Sequence, residues 1–238
     1  MITFERPKLT TAYNDWDEAV VADGVYPPQE DSQLLIEVMD KTGLACGRRV
    51  ADLCTGSGVV AVAAAEQGAA QVAAFDISPR AVRFARQQVL AAGADVHVHL
   101  GSWARAAEFG PYDLVVCNPP YVPHDANVDE PDVPSHVGPA QAWDAGYDGR
   151  MVLDPLCASM RSLLADGGTM LLVQSEFAEP RKTLAALASC GLDAEILAWE
   201  WIPFGPVLSA RAQWLEDTGR LEPGRREEEL VVIRADKA

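Results

Sequence analysis

Arg49-Val50-Ala51-Asp52-Leu53-Cys54-Thr55-Gly56-Ser57-Gly58 is the stretch that decides the fold. Its first six residues have the length and apolar content of a buried strand, and the glycine turn opens directly into the apolar run Val59 to Glu66, which reads as a helix. Strand, glycine turn and helix in that order describe the first crossover of a doubly wound α/β sheet, whose ligands bind beyond the carboxyl ends of the strands. Gly56 and Gly58 permit a tight turn and a close backbone approach. A lone G-x-G is weak evidence, because any strand-to-helix turn can use it. The flanking sequence has to carry the rest.

Downstream, Gln71 to Asp76 reads as a second strand that ends in an acid about 20 residues after the glycines, where nucleoside-binding folds set a carboxylate against the ribose hydroxyls. Two hydroxyl donors match the two acceptor oxygens of Asp76. Ser78 and Pro79 then start a helix that Gly93 ends. Val96, Val98 and Leu100 alternate with His97 and His99 as in a half-exposed strand, so both histidines are expected at the surface and not as ligands. Ser102 and Trp103 follow, and the indole has two uses open to it, covering an adenine or joining the core. Upstream, Leu34 to Met39 reads as a helix capped by Asp31 or Ser32. Further on come a helix over Leu153 to Leu164, a strand over Thr169 to Val173, a helix over Pro180 to Ser189, and strands over Glu195 to Trp201 and Glu229 to Arg234.

One apolar run, Leu114-Val115-Val116-Cys117, delivers Asn118-Pro119-Pro120-Tyr121. The nitrogen of an amide or aromatic amine is a poor nucleophile, because its lone pair is conjugated into the neighbouring π system. A carboxamide oxygen on Asn118 and the carbonyl of Pro119 can each accept one N–H of such a planar NH2 group. That turns the lone pair toward an electrophile and stabilises charge as it develops, with no strong base required. The prolines fix φ and remove competing donors, and Tyr121 offers a flat face. The plainer reading of the same residues is a Pro-Pro turn ending a strand.

Composition narrows the classes. The chain has 238 residues, 49% of them hydrophobic, enough for a full core. Its net charge of −16 repels polyanions, which argues against broad nucleic-acid binding. The first residues lack an apolar leader core and no run reaches membrane-spanning length, so a cytoplasmic protein is expected. Five cysteines without C-x-x-C spacing suit reduced thiols, and no metal site is expected. Residues 1–25 read as an arm, 122–150 as a long substrate loop beside the site, and 203–227 as an insertion.

The order Tyr26 to Ser32, Asp52 to Gly58, Asp76, Ser102-Trp103 and Asn118 to Tyr121 resembles class I S-adenosylmethionine-dependent methyltransferases, and within them the HemK-like protein N5-glutamine methyltransferases. Ala142-Trp143-Asp144-Ala145-Gly146-Tyr147-Asp148-Gly149-Arg150 extends the match. The Val25 to Leu35 segment resembles the short branch that lacks an N-terminal helical domain. The resemblance implies a Rossmann-like doubly wound, mostly parallel seven-stranded sheet with an antiparallel C-terminal strand, in one methyltransferase domain over 26–238. It also implies S-adenosyl-L-methionine as cofactor, with Ser32, Asp52, Cys54, Gly56, Gly58, Asp76, Ser102, Trp103 and Asn118 near it. Asn118, Pro119, Pro120 and Tyr121 would hold the acceptor. Cys54 stands where the family commonly has glycine, and Ser102 where an Asp often accepts from the adenine amine. The implied acceptor is a glutamine of a release-factor-like protein, and some short relatives pair with a small zinc-binding activator subunit. Methylation of an exocyclic amine in DNA or RNA, of a small molecule or peptide, and a noncatalytic cofactor-binding scaffold are the other classes.

Overall fold

A computed structural model of the chain describes residues 25–125 and 138–238. The expected N-terminal arm therefore lies outside the described residues except for Val25, as does the middle of the 122–150 loop.

A seven-stranded sheet forms the centre. Its strands are β1 (Arg49–Leu53), β2 (Gln71–Asp76), β3 (Val96–Leu100), β4 (Tyr112–Cys117), β5 (Leu164–Ser175), β6 (Asp193–Pro203) and β7 (Glu227–Asp236), in the spatial order β3-β2-β1-β4-β5-β7-β6. The first five pair in parallel, and β7 runs antiparallel to both of its neighbours. The order reverses between β1 and β4, so the strand ends that carry Asp52 and Cys117 diverge into a crevice there. Ligands of doubly wound sheets bind at that point.

Helices α1 (Glu30–Thr42), α2 (Val59–Glu66), α3 (Pro79–Ala92), α5 (Leu153–Leu163) and α6 (Pro180–Ser189) cover the sheet, with the four-residue α4 (Trp103–Ala106) between β3 and β4 and α7 (Pro206–Asp217) between β6 and β7. The near-continuous apolar strands β1, β4 and β5 follow from burial on both faces. Ser78 caps α3 through its hydroxyl, Pro79 occupies the first turn, and Gly93 closes the helix in the left-handed conformation.

Three expectations shift. Helix α1 begins at Glu30 behind Gln29, and neither Asp31 nor Ser32 caps it, because both already lie in its first turn. Asp31 satisfies a free first-turn donor there, accepting from the Ser32 N–H at 2.6 Å. Leu164 leaves the helix and opens β5, which runs on through Gly167 and Gly168 to Ser175. His99 is at the surface only in part: it is half-buried, with its ring stacked 5.1 Å from Phe75 and 4.5 Å from Phe109. The short α4 explains why it keeps some exposure. The crossover from β3 to β4 is too brief to lay a full helix over the sheet, so a groove of about 290 Å³ stays open along Arg49, Gln71, His97, His99 and Phe109.

Candidate active site

The loop after β1 is held from below by a buried carboxylate. Asp52 is 1% exposed and accepts from the Thr55 hydroxyl at 2.5 Å, while the Thr55 N–H donates to the Phe75 carbonyl. Burial pushes the Asp52 carboxyl up to about 7, opposed by the Thr55 bond. Asp52 is thus engaged in shaping the turn. Gly58 adopts φ +87°, and a Cβ there would meet the Ala85 Cβ at 3.1 Å, so its bare backbone lets α2 and α3 pack. Gly56, at φ +53°, differs: a Cβ would meet only the Cys54 carbonyl at 3.9 Å. That side of the turn opens to the crevice.

Cys54 has φ +58°, one of two non-glycine residues in the left-handed region among those described. A side chain in this conformation costs roughly 1–2 kcal/mol, so a glycine would sit there with less strain. The thiol is half-buried and lies within hydrogen-bond reach of Cys117, whose own thiol burial raises well above its ordinary value.

Asp76 sits at the carboxyl end of β2. Its Oδ2 accepts from the Gly56 N–H at 2.9 Å and its Oδ1 from the Ser78 N–H at 2.8 Å. A third backbone donor, the Ile77 N–H, also bonds the group, so the backbone fixes the direction of the carboxylate. Burial raises its pKa, and the N–H groups of Ser78, Gly56 and Ile77 pull the other way. Ser102 caps α4, its hydroxyl accepting from the Ala104 N–H at 3.3 Å, and half-buried Trp103 packs against the core. An aimed carboxylate, an open glycine backbone and an indole along the ends of β1, β2 and β3 fit a ribose-bearing nucleoside.

Asn118 and its three followers lie at the end of β4, beside the start of α1. The Asn118 Nδ2 donates to the Ser32 hydroxyl at 3.1 Å, and this bond sets which way the carboxamide faces. Among the described residues no donor reaches Asn118 Oδ1 or the Pro119 carbonyl. Both acceptors are thus unclaimed by the described residues, with Asn118 half-buried and Pro119 buried. Tyr121 is nearly buried, and its hydroxyl donates to Asp31 Oδ2 at 2.9 Å.

The residues that hold this segment are ones the sequence left unassigned. Val122 pairs with the returning loop, its N–H donating to Trp143 and its carbonyl accepting from Ala145. Arg211 of α7 donates to the Pro123 carbonyl at 2.7 Å and lies over the buried Trp143 ring. Gly149, at φ +73°, passes so close that a Cβ would sit 2.5 Å from the Tyr121 carbonyl oxygen. Arg150 is 2% exposed, with Nε and Nη2 on Asp154 and Nη1 on the Ala178 and Glu179 carbonyls and the Thr183 hydroxyl. Its presence in the Trp143 to Arg150 stretch was the available signal. What it does is structural: it ties the loop to α6. No group of metal-ligating side chains occurs among the described residues, and no helix there is long and apolar enough to cross a membrane.

Known proteins resemble the chain in the same region. The family model described as Methyltransferase small domain matches residues 24–133. A release factor glutamine methyltransferase of Rhodospirillum rubrum is 39% identical over 65% of this chain and 48% of its own length. A Methanocaldococcus jannaschii protein assigned as a protein N5-glutamine methyltransferase is 29% identical over 79% of this chain and 91% of its own. The chain therefore spans about half the length of the Rhodospirillum relative. Among solved structures, a chain of the E. cuniculi Mtq2–Trm112 complex responsible for methylation of the eRF1 translation termination factor aligns over 90% of this chain and 98% of that one, at 24% identity and a TM-score of 0.58. That likeness is one of fold.

Proposed function

We propose that the chain is a HemK-like class I methyltransferase, a reading its similarities support, and that it transfers a methyl group to a planar NH2 nitrogen, the side chain of a glutamine in a release-factor-like protein. The observation that carries this reading is the bond from Asn118 Nδ2 to Ser32, which leaves Oδ1 free to act beside the Pro119 carbonyl. When bound, S-adenosyl-L-methionine supplies an electrophilic methyl on its sulfonium. Asp76 would accept from the ribose hydroxyls, Gly56 would lie along the ligand, and Trp103 would cover the adenine, with Ser102 nearby.

Asn118 Oδ1 and Pro119 O would then each accept one N–H of the acceptor. Held so, the nitrogen presents its lone pair along the line of attack. As the nitrogen–carbon bond forms and the carbon–sulfur bond breaks, positive charge appears on nitrogen, and the two oxygens stabilise it. The alkylated nitrogen is a strong acid and gives its extra proton to water. Ser32, Asp31, Trp143 and Gly149 act through Asn118 to Tyr121, fixing them before the acceptor arrives.

The test is mass spectrometry of a purified release factor incubated with the protein and S-adenosyl-L-methionine. One added methyl on the glutamine of its Gly-Gly-Gln loop is expected. Methyl transfer to adenine in duplex or single-stranded DNA, with none to protein, would overturn the assignment of acceptor. The purified chain assayed alone also tests whether a small activator subunit is required.

A further inference from the structure

We propose that a small acidic notch beside Tyr121 binds a primary ammonium group carried by the methyl acceptor, an inference that rests on the N-methyltransferase reading above. The notch is lined by Tyr26, Glu30, Asp31, Tyr121 and Glu228, among others, and holds about 30 Å³. A space of ~10–15 Å³ suffices for one water-sized group, so an ammonium head fits, and unlike a quaternary ammonium it carries N–H donors for the notch's oxygens.

Glu228 supplies the independent sign of a ligand. It is 5% exposed, yet its Oε2 has no hydrogen-bond partner among the described residues, while the Ser175 hydroxyl serves the carboxyl group. A buried, unpaired carboxylate oxygen is costly, and such groups are normally paired or neutralised. No Lys or Arg is among the lining residues. Burial, with Asp31, Glu176 and Glu30 adding to it, pushes the Glu228 carboxyl up to about 8, so without a cation the group tends to hold a proton. An ammonium replaces that proton and brings donors to the free oxygen. Asp31 adds a second anion, and Tyr26 and Tyr121 line the notch beside it.

The notch and the reacting site meet at Tyr121 and Asp31. Tyr121 follows Asn118 by three residues, and its hydroxyl is bonded to Asp31. Asn118 is bonded to Ser32, the next residue of α1. An acceptor whose amide meets Asn118 can therefore set a nearby amine between Tyr121 and Glu228. That amine could be the α-ammonium of a free amino acid or a lysine side chain of a protein.

Methylammonium and tetramethylammonium are the probes, titrated by NMR into the protein and into Glu228→Gln, with circular dichroism as the check of folding. Methylammonium is expected to shift resonances around Tyr26 and Tyr121, tetramethylammonium is not, and Glu228→Gln is expected to weaken methylammonium at least tenfold. Equal responses to the two cations, or methylammonium binding unchanged in Glu228→Gln, overturn the proposal and leave the notch as a water site. Acceptor arms then separate the sources. Methyl transfer that favours free glutamine over N-acetylglutamine marks an α-ammonium, and transfer that favours a lysine-bearing glutamine peptide over its norleucine analogue marks a protein. Loss of methylammonium binding leaves transfer to an uncharged glutamine amide intact, whereas binding without any methyl transfer overturns the methyltransferase reading instead.

Discussion

Replacing Gly149 with alanine should damage catalysis from a position that touches neither cofactor nor acceptor. The added Cβ would lie 2.5 Å from the Tyr121 carbonyl oxygen, and ordinary contact begins at 3.4 Å, so 3.4 − 2.5 gives a required displacement of about 0.9 Å. The obstacle is backbone and cannot rotate away. The same Cβ would also lie 3.3 Å from the Ala178 Cβ and 3.4 Å from the Pro123 Cγ, so the site around it is crowded. The shift therefore falls on Tyr121, which belongs to the same rigid Pro-Pro segment as Asn118. A misplacement of ~1 Å at a positioning group costs on the order of 10²-fold in rate. The φ of +73° adds roughly 1–2 kcal/mol of destabilisation for any side chain. Single-turnover methyl transfer at saturating cofactor isolates the effect from binding, and cofactor affinity by calorimetry should hold, since the residues proposed for the cofactor, Gly56, Asp76, Ser102 and Trp103, lie at or just beyond the ends of β1, β2 and β3. A rate within about threefold of the parent would refute the idea that the loop braces the tetrapeptide.

Other outcomes follow from the same geometry. Asn118→Ala removes one of two acceptors aimed at the developing charge and should lower single-turnover transfer by ~10²–10³-fold, with cofactor affinity changed far less; comparable losses in both would show that Asn118 serves the cofactor. Asp76→Ala should weaken S-adenosylmethionine by at least ~1 kcal/mol in calorimetry, and unchanged affinity in a folded variant removes Asp76 from the site. Glu228 and Asp52 titrate at about 8 and about 7 in the folded chain, above their ordinary 4.5 and 3.8. The folded state therefore binds more protons than the unfolded one across that window, and stability falls as pH rises through it, by an amount on the order of 4 kcal/mol for Glu228. Melting temperatures from pH 5 to 8 should fall more steeply for the parent than for Glu228→Gln, and parallel curves would remove Glu228 as the cause.

Local sequence was a good guide wherever local physics decides the outcome. The strands through Asp52, Asp76 and Cys117, the Ser78 cap and the Gly93 stop are short-range features, and each lies where the local run of residue types sets it. The place of Asp76 at the end of the second strand was also legible, whereas its bond to the Gly56 N–H was not among the expectations. Less legible were features that depend on distant chain. Glu228 lies on the last strand and joins Asp31 and Tyr121 only through the antiparallel return of β7. Arg150 and Gly149 sit in a loop whose contacts run to α6 and to Tyr121, and nothing in their neighbours announces either. Helix α1 started earlier than expected because acidic side chains can serve first-turn donors from inside the helix as well as from its cap.

The guanidinium of Arg150 has a consequence for how the molecule opens. A charge 98% removed from solvent, bonded to carbonyls and a hydroxyl of another element, cannot be released piecemeal. Once one bond yields, the remaining buried charge is left to be solvated at a cost of several kcal/mol. Unzipping of the returning loop from Val122 and detachment of the start of α6 are thereby fused into one cooperative unit. Amide hydrogens of Val122 and Ala145 should then exchange with the same free energy as that of Thr183, although the chain separates them by dozens of positions.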